Sequence, residues 1–309
     1  MEQIQVRPEL LLTTNHASTE TSKATVTIGI CVRNAEKTIR RTIESVNHQD
    51  YPHCFMELIL VDDDSADFTL SIVKEIVSKI DFTCRVFHGP WQGLGKSRNT
   101  VVKNAHGDYI IWVDGDIVLA KDYVRKQVEF MEQNPRVGIA GGQFGILHGR
   151  NLIATLDNAE VVVKDHIYGK KARSKPIFVH FGMAGTILRV KAIRQVNGFD
   201  DNIRGAGEDA DIANKITQAG WLIYTANEAI FYHEGKEKLR DVWTQNVWYG
   251  YSYFFLNITT VTPESLFSGI RYAHIAYTLL REKRAFLLPF YYYFKKLAWI
   301  FGFIRGYVG

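Results

Sequence analysis

Asp108–Ile117 reads DYIIWVDGDI: five apolar residues run into two carboxylates that flank a glycine. YIIWV is too apolar for a strand with one wet face. It reads as a strand buried on both faces, the signature of a parallel sheet covered by helices. Asp114 and Asp116 then stand at the carboxyl end of that strand, where open α/β sheets bind their ligands. Gly115 lets the chain turn closely around a ligand. Carboxylates beside a buried strand need a compensating partner. A hard divalent cation, Mg²⁺ or Mn²⁺, shared with phosphate oxygens supplies one. The competing reading is capping of the strand-to-helix turn by both acids.

Outward from this segment, strands and helices alternate. ATVTIGICV (Ala24–Val32) is an opening strand, and Asn34 is placed to cap a helix in which Ile39, Ile43 and Val46 recur at helical spacing. MELILVDDDS (Met56–Ser65) is a second buried strand ending in acids. DFTLSIVKEIVSKI follows as a helix with Phe68, Ile72, Ile76 and Ile80 on one side. TCRVFHG is a third strand, GLGKSRNTVVKNAHG a glycine-led loop and helix, DYVRKQVEFMEQN a fourth helix and RVGIAGG a further strand. The alternation predicts a mostly parallel central sheet flanked by helices over residues 24–145. It weakens over 146–250, where GEDADIANKITQAG reads as a helix opening on acids and WLIYTANEAIFYHEG as a strand. Residues 1–23 read as a loose polar arm without the basic start and apolar core of a secretion signal.

Among these acids, Asp62, Asp63 and Asp64 are adjacent and repel one another, so at least one needs a specific donor such as a nucleobase N–H or a ribose hydroxyl. The alternative is an N-cap from Asp64 or Ser65. No GxGxxG follows the first strand, and GKS in QGLGKSRN lacks the earlier glycine of a P-loop. Backbone N–H groups there, with Lys96 or Arg98, can still meet a phosphate. Glu208 and Asp209 in RGAGEDADI are candidate general bases, with Asp211 a third. Simple helix-terminus compensation is the alternative. His233 in IFYHEG is a candidate metal ligand or a half-buried histidine.

The chain of 309 residues is 46% hydrophobic and 23% charged, enough for one large α/β domain with a smaller appendage. A net charge of +4 does not point to nucleic acid. Three scattered cysteines give neither a disulfide scaffold nor a metal motif, in keeping with a reducing compartment. Residues 251–309 are aromatic and basic. From Arg281 onward, Arg281, Lys283, Arg284, Lys295, Lys296 and Arg305 face Glu282 alone. No apolar run there reaches the roughly 20 residues of a membrane span. Helices lying at an anionic bilayer surface are the expected arrangement, and burial against protein is the alternative.

Taken together, CVRN, VDDDS, WVDGD and GED, in that order, resemble the inverting family 2 glycosyltransferases with a GT-A fold, from about Thr25 to about Gly250. The resemblance implies transfer of a sugar, a hexose above all, from a nucleotide-sugar, with UDP favoured. It implies a donor site that includes Val32, Asn34, Lys96 and Gly115. Asp62 or Asp63 would contact the base, Asp114 the ribose or diphosphate, and Asp116 Mn²⁺ or Mg²⁺. Arg98 and Asn99 would lie near the donor. Asp209, beside Glu208, would be the catalytic base, and His233 would join the metal or diphosphate. The first strand departs from the usual Pro, Thr or Ser, Tyr, Asn ending, with Cys31, Val32, Arg33 and Asn34 there instead. QNVWYG lacks the arginine of the processive QxxRW motif, which argues against a polysaccharide synthase. The tail adds an expectation of a glycan or polyprenyl-linked acceptor, met by the enzyme at the cytoplasmic face of a membrane.

Overall fold

The computed structural model describes residues 1–5, 23–172, 182–203, 205–255 and 263–308. In chain order the elements are β1 (Glu2–Gln5), β2 (Val26–Val32), α1 (Ile39–Asn47), β3 (Met56–Asp63), α2 (Thr69–Val77), β4 (Thr83–Gly89), α3 (Leu94–Asn104), β5 (Tyr109–Trp112), β6 (Ile117–Leu119), α4 (Tyr123–Gln133), β7 (Val137–Phe144), α5 (Leu152–Ala172), β8 (Thr186–Arg189), α6 (Val190–Gln195), α7 (Glu208–Gln218), β9 (Leu222–His233), α8 (Leu239–Phe255), α9 (Pro263–Leu280) and α10 (Leu288–Val308). They form two compact units. The first is Met1–Gln143, Pro176–Asn202 and Asp209–Phe231; the second is Phe144–Lys175, Ile203–Glu208 and Tyr232–Gly309.

The first unit is built on a sheet of order β1-β4-β3-β2-β5-β8-β7-β9-β6. β4, β3, β2 and β5 run parallel, with Val26 opposite both Met56 and Tyr109. Every residue of β3 and β5 is buried, as the apolar runs Leu58–Val61 and Tyr109–Trp112 require, and the acids Glu57, Asp62 and Asp63 of β3 are buried with them. The parallel character ends there. β8 pairs antiparallel with β5 and with β7, and β1 antiparallel with β4. The sheet is therefore mixed, where the alternation had implied a mostly parallel one. Glu2–Gln5 of the expected polar arm forms the edge strand β1, and residues 6–22 lie outside the described residues.

Two local readings change. α2 buries Thr69, Val73, Ile76 and Val77, while Phe68 is among the exposed large hydrophobics. The buried stripe starts one residue later than the sequence suggested: Phe68 is itself the N-cap, without a side-chain bond, and Asp67 Oδ1 accepts from the Thr69 backbone N–H and hydroxyl at the helix start. Neither Asp64 nor Ser65 caps it. Nor does Asn34 cap α1, whose N-cap is Thr38 without a side-chain bond.

In the second unit, α8 and α10 pack along a glycine seam. A Cβ on Gly250 would fall 1.9 Å from the Trp299 carbonyl oxygen, and one on Gly302 would fall 2.0 Å from that of Val247. Without side chains at these points the two backbones come close enough for Tyr253 and Phe254 of α8 to pack against Trp299 and Phe303, which stack on each other along α10. A second apolar cluster joins α5, α9 and α10 through Leu156, Val163, Tyr272, Leu288 and Tyr292. Among the described residues no helix is long and apolar enough to cross a membrane.

Candidate active site

Asp114 and Asp116 do not end one long strand. β5 stops at Trp112, the acids occupy a turn, and the chain re-emerges as β6 at the far edge of the sheet beside β9. A Cβ on Gly115 would meet Val32 Cγ1 at 2.8 Å, so Val32 supports the turn and glycine is required there. Asp114 Oδ1 lies 3.7 Å from the Arg98 guanidinium. Arg98 is itself buried in α3, 5.6 Å from the ring centres of both Trp112 and Phe199. The two rings meet edge to face at 5.7 Å. This cage fixes the guanidinium plane and leaves its charge directed to the acidic turn.

Asn99 plays a different part from the one its neighbour suggested. Its Nδ2 donates to the Phe199 carbonyl and to Asp201 Oδ1, and its Oδ1 accepts from the Phe199 N–H. It anchors the loop that supplies Phe199 to the cage. Lys96 stands half-buried near the start of α3.

Asp209 follows Glu208 at the start of α7 and accepts from the Ala210 N–H at 2.7 Å. Burial raises its carboxyl above the usual aspartate range. The positive charge of Arg98 opposes that rise and the negative charge of Asp114 adds to it. Asp209 thus feels the same two groups that define the acidic turn. Glu208 is buried. Asp211 is half-buried and engaged by Lys215 at 2.7 Å on its own helix. His233 ends β9 and belongs to the second unit. There its charge helps hold the Asp157 carboxyl down.

The acids after β3 separate into distinct environments. Asp62 is 0% exposed. Its Oδ2 meets His88 Nδ1 at 2.8 Å, in the register that sets Asp62 opposite His88 on β4. Its Oδ1 has no hydrogen-bond partner among the described residues. Asp63 Oδ1 accepts from the Gln92 N–H at 3.0 Å. Asp64 and Asn34 both take left-handed backbone, with φ of 68° and 54°, a region that Asn and Asp reach more readily than other non-glycine residues. Asn34 bonds across the gap, its N–H to Ser65 Oγ and its Oδ1 from the Ala66 N–H. It ties the β2–α1 loop to the β3–α2 loop. His88, Trp91 and Phe199 were not singled out from the sequence. The signal for His88 was its place at the end of the third strand, level with the acids.

The carboxyl ends of β3 and β5 therefore bear a buried acid and a two-acid turn, with the caged arginine of α3 beside that turn and Asp209 of α7 within the field of both. Residues 27–196 match the family described as glycosyl transferase family 2. This chain is a family 2 glycosyltransferase. A putative glycosyltransferase of Bacillus subtilis, EpsE, is 29% identical over 218 residues, covering 68% of this chain and 72% of its own. An uncharacterized glycosyltransferase of Haemophilus influenzae is 38% identical over 110 residues, 35% of this chain and 43% of its own. The poly(ribitol-phosphate) beta-N-acetylglucosaminyltransferase TarS of Staphylococcus aureus is 32% identical over 101 residues, 33% of this chain and 18% of its own. The matched stretch thus spans less than half of the latter two. Among solved structures, the mannosyltransferase PcManGT of Pyrobaculum calidifontis, in complex with GDP-Man and Mn²⁺, aligns with a TM-score of 0.63 at 16% identity, covering 93% of this chain and 88% of its own. S. aureus TarS 1-349 in complex with UDP aligns at 0.52 and 17% identity, covering 90% and 89%. These alignments show the GT-A-like fold of the glycosyltransferase.

The acidic turn suits a divalent ion. Among the described residues no group of three or more His, Cys, Asp or Glu gathers as a closed metal centre. Mg²⁺-type ions are commonly held by one or two carboxylates plus substrate phosphates rather than by an all-protein cage. Asp114 and Asp116, two hard oxygen donors either side of a close-turning glycine, fit that pattern.

Proposed function

We propose that the chain is a metal-dependent, inverting glycosyltransferase that takes a sugar from a UDP-sugar and passes it to a lipid-linked or other membrane glycan. Residues 24–145 would supply the donor half and 146–250 the base and acceptor half. The observation that supports this most directly is Asp209. Its carboxyl is raised by burial yet lies within the field of Arg98 and Asp114, as a general base beside a diphosphate site needs.

In this reading Asp209 accepts the proton of the acceptor hydroxyl as its oxygen bonds to the anomeric carbon. The bond from that carbon to the diphosphate breaks, its electron pair leaves with the diphosphate, and the configuration inverts. The caged Arg98 faces the growing negative charge without needing to reorganise. Glu208, the buried first residue of α7, is kept as the second candidate base. Asp116, with Asp114 beside it, would hold Mn²⁺ or Mg²⁺, which when bound adds positive charge at the leaving group. Lys96 and the N–H groups around it would meet phosphate oxygens. Asp63, 6% exposed where Asp62 is 0%, would offer its carboxylate to the base, with Asp62 and His88 as its backing and Val32 and Asn34 as floor and tie. His233 is kept as a metal or diphosphate contact on the resemblance alone.

A membrane acceptor is supported by α10 and the turn before it. Phe286, Phe290, Tyr293, Leu297, Phe301 and Ile304 are exposed and recur every three or four residues, as one helix face does. Exposed Arg281, Lys283, Arg284 and Arg305 accompany them. A lipid-linked acceptor would require the enzyme at the cytoplasmic face of a membrane, docked without spanning it. The test is release of UDP or GDP from a panel of nucleotide-sugars with Mn²⁺ and membrane glycolipid present. Turnover is expected with one nucleotide-sugar class. Pyrophosphate release instead would indicate a nucleotidyltransferase, and undiminished turnover by Asp209→Asn would refute the assigned base.

A further inference from the structure

The loop that runs into α7 is seated directly on α8. Ile203–Glu208 belongs to the second unit, as does the whole of α8, and Asp209 is the second residue of α7. A Cβ on Gly205 would fall 2.2 Å from Ser252 Oγ, 2.6 Å from its Cβ and 3.3 Å from its Cα. A hydroxyl can rotate away from such a contact, but the Cβ and Cα of a helical residue cannot. Ser252 is buried, and its hydroxyl donates to the Trp248 carbonyl one turn back on α8 at 2.8 Å. Nor can α8 retreat. Gly250, two residues earlier, lies about 200° round the helix from Ser252, and a Cβ there would fall 1.9 Å from the Trp299 carbonyl oxygen of α10. The remainder of the loop is equally constrained. Ala206 and Glu208 are buried, and Gly207 takes a φ of 114°, which side chains rarely allow.

We propose that Ser252 is a positioning residue for the general base: by seating Gly205 on α8 it fixes the start of α7, and with it the place of Asp209. A base must come within about 2.6–3.2 Å of the proton's oxygen, and a displacement of about 1 Å can cost about 10²-fold in rate. The bond that Asp209 accepts from the Ala210 N–H lies within α7 and moves with it, so it cannot hold the helix in place. The seat on α8 can, because it joins the backbone four residues before the base to a helix that is closed on its opposite side. This deepens the base assignment above and rests on it.

The experiment follows UDP release from the nucleotide-sugar that the wild-type full chain turns over. Rates are expressed per UDP-binding site, counted by titration calorimetry with UDP and Mn²⁺. Gly205→Ala is expected to lower kcat about 10²-fold, with the KM for the nucleotide-sugar and the affinity for UDP unchanged. Gly205→Ala/Ser252→Gly removes the Oγ and Cβ that the new methyl meets and should restore kcat to near the wild-type value. A contact that only stabilises the fold would reduce the number of UDP-binding chains and leave kcat per site unchanged, which would overturn the proposal. Loss of kcat without recovery in the double variant would overturn it as well. If Gly205→Ala does not bind UDP, Ser252→Ala decides, since it removes only the hydroxyl at the contact: several-fold lower kcat upholds the proposal and native kcat overturns it. Each of these failures leaves the base assignment standing. Full turnover by Asp209→Asn, or no turnover by wild type, removes that assignment and the positioning role with it.

Discussion

Asp209 shows how much a single residue's surroundings decide. The residues of GEDAD alone offered Glu208 and Asp209 as candidate bases with Asp211 a third, and the resemblance favoured Asp209. Folding commits Asp211 to Lys215, buries Glu208, and leaves Asp209 with a raised carboxyl facing Arg98 and Asp114. Asp209→Asn is expected to cut kcat by about 10²- to 10⁴-fold, the usual range for a lost general base. In wild type the acid limb of kcat/KM should lie above the ordinary aspartate pKa of about 3.9. The same raised pKa has a consequence for stability. Its contribution is fully present below the unfolded pKa and is lost as pH rises through the folded one. The asparagine variant should therefore melt at a higher temperature than wild type near neutrality, and the gap should close on acidification. A variant that is less stable at neutral pH would refute the assigned cost of the buried charge. The acids and Arg98 were legible in the sequence because each stands at a strand or helix end. His88 against Asp62, and Phe199 around Arg98, were not. Those pairings need strand register and a contact about a hundred residues apart in the chain, which no local pattern encodes.

At the scale of elements, the pair Lys295–Lys296 illustrates the limit of reading charge from composition. Successive helical residues point about 100° apart, so both cannot face one surface. Lys295 turns inward to Glu160 at 2.9 Å and Asp157 at 3.3 Å on α5. Tyr291 Oη donates to Asp157 at 2.7 Å, and the Lys236 N–H at 3.1 Å. With these partners the Asp157 carboxyl falls to about 2, although burial works against it. Lys295 therefore drops out of the basic set expected to face lipid. Lys296 sits over the Tyr292 ring at 5.5 Å and is only half-buried. Lys295→Met should destabilise by about 3–5 kcal/mol, since it leaves two buried carboxylates short of a cation. Lys296→Met should cost much less, and urea unfolding compares the two. Gly250→Ala and Gly302→Ala test the seam between α8 and α10. Each Cβ would press on a carbonyl oxygen that cannot swing aside, so a loss of about 1–3 kcal/mol is expected. Interfacial helices were expected in the tail from its aromatic and basic stretches, but α8 was not read from the sequence, and which faces meet depends on glycines whose role appears only on packing.

At the scale of the whole molecule, local alternation sufficed for β2 to β5 because β2, β3 and β4 are each followed by their own helix before the next parallel strand. It failed beyond β5, where β8, β7, β9 and β6 pair out of chain order and only tertiary contacts choose the neighbour. The surface around α10 is where sequence and structure together yield the largest-scale expectation. One side of α10 is committed to protein, with Leu288, Tyr291, Ala298 and Trp299 buried; Phe290, Leu297 and Phe301 on the other side are exposed. An apolar side chain of this size gains about 1.5–3 kcal/mol when fully withdrawn from water, and each nearby basic residue adds about 1 kcal/mol at an anionic surface. Phe290→Glu combined with Leu297→Glu should therefore abolish sedimentation with anionic vesicles. The fold should survive, because the α8 and α5 contacts lie on the other side of the helix. Reversing Lys283 and Arg284 to glutamate should weaken binding to anionic vesicles and leave the weaker binding to neutral ones unchanged. Raising the salt from about 0.1 M to about 1 M, which shortens the screening length from about 10 Å to about 3 Å, should mimic that reversal. Unaltered vesicle binding by the glutamate double variant would mean that the exposed stripe meets something other than lipid. A shift of the wild type from dimer to monomer on the same substitutions, read by light scattering, would identify that partner as a second copy of the chain.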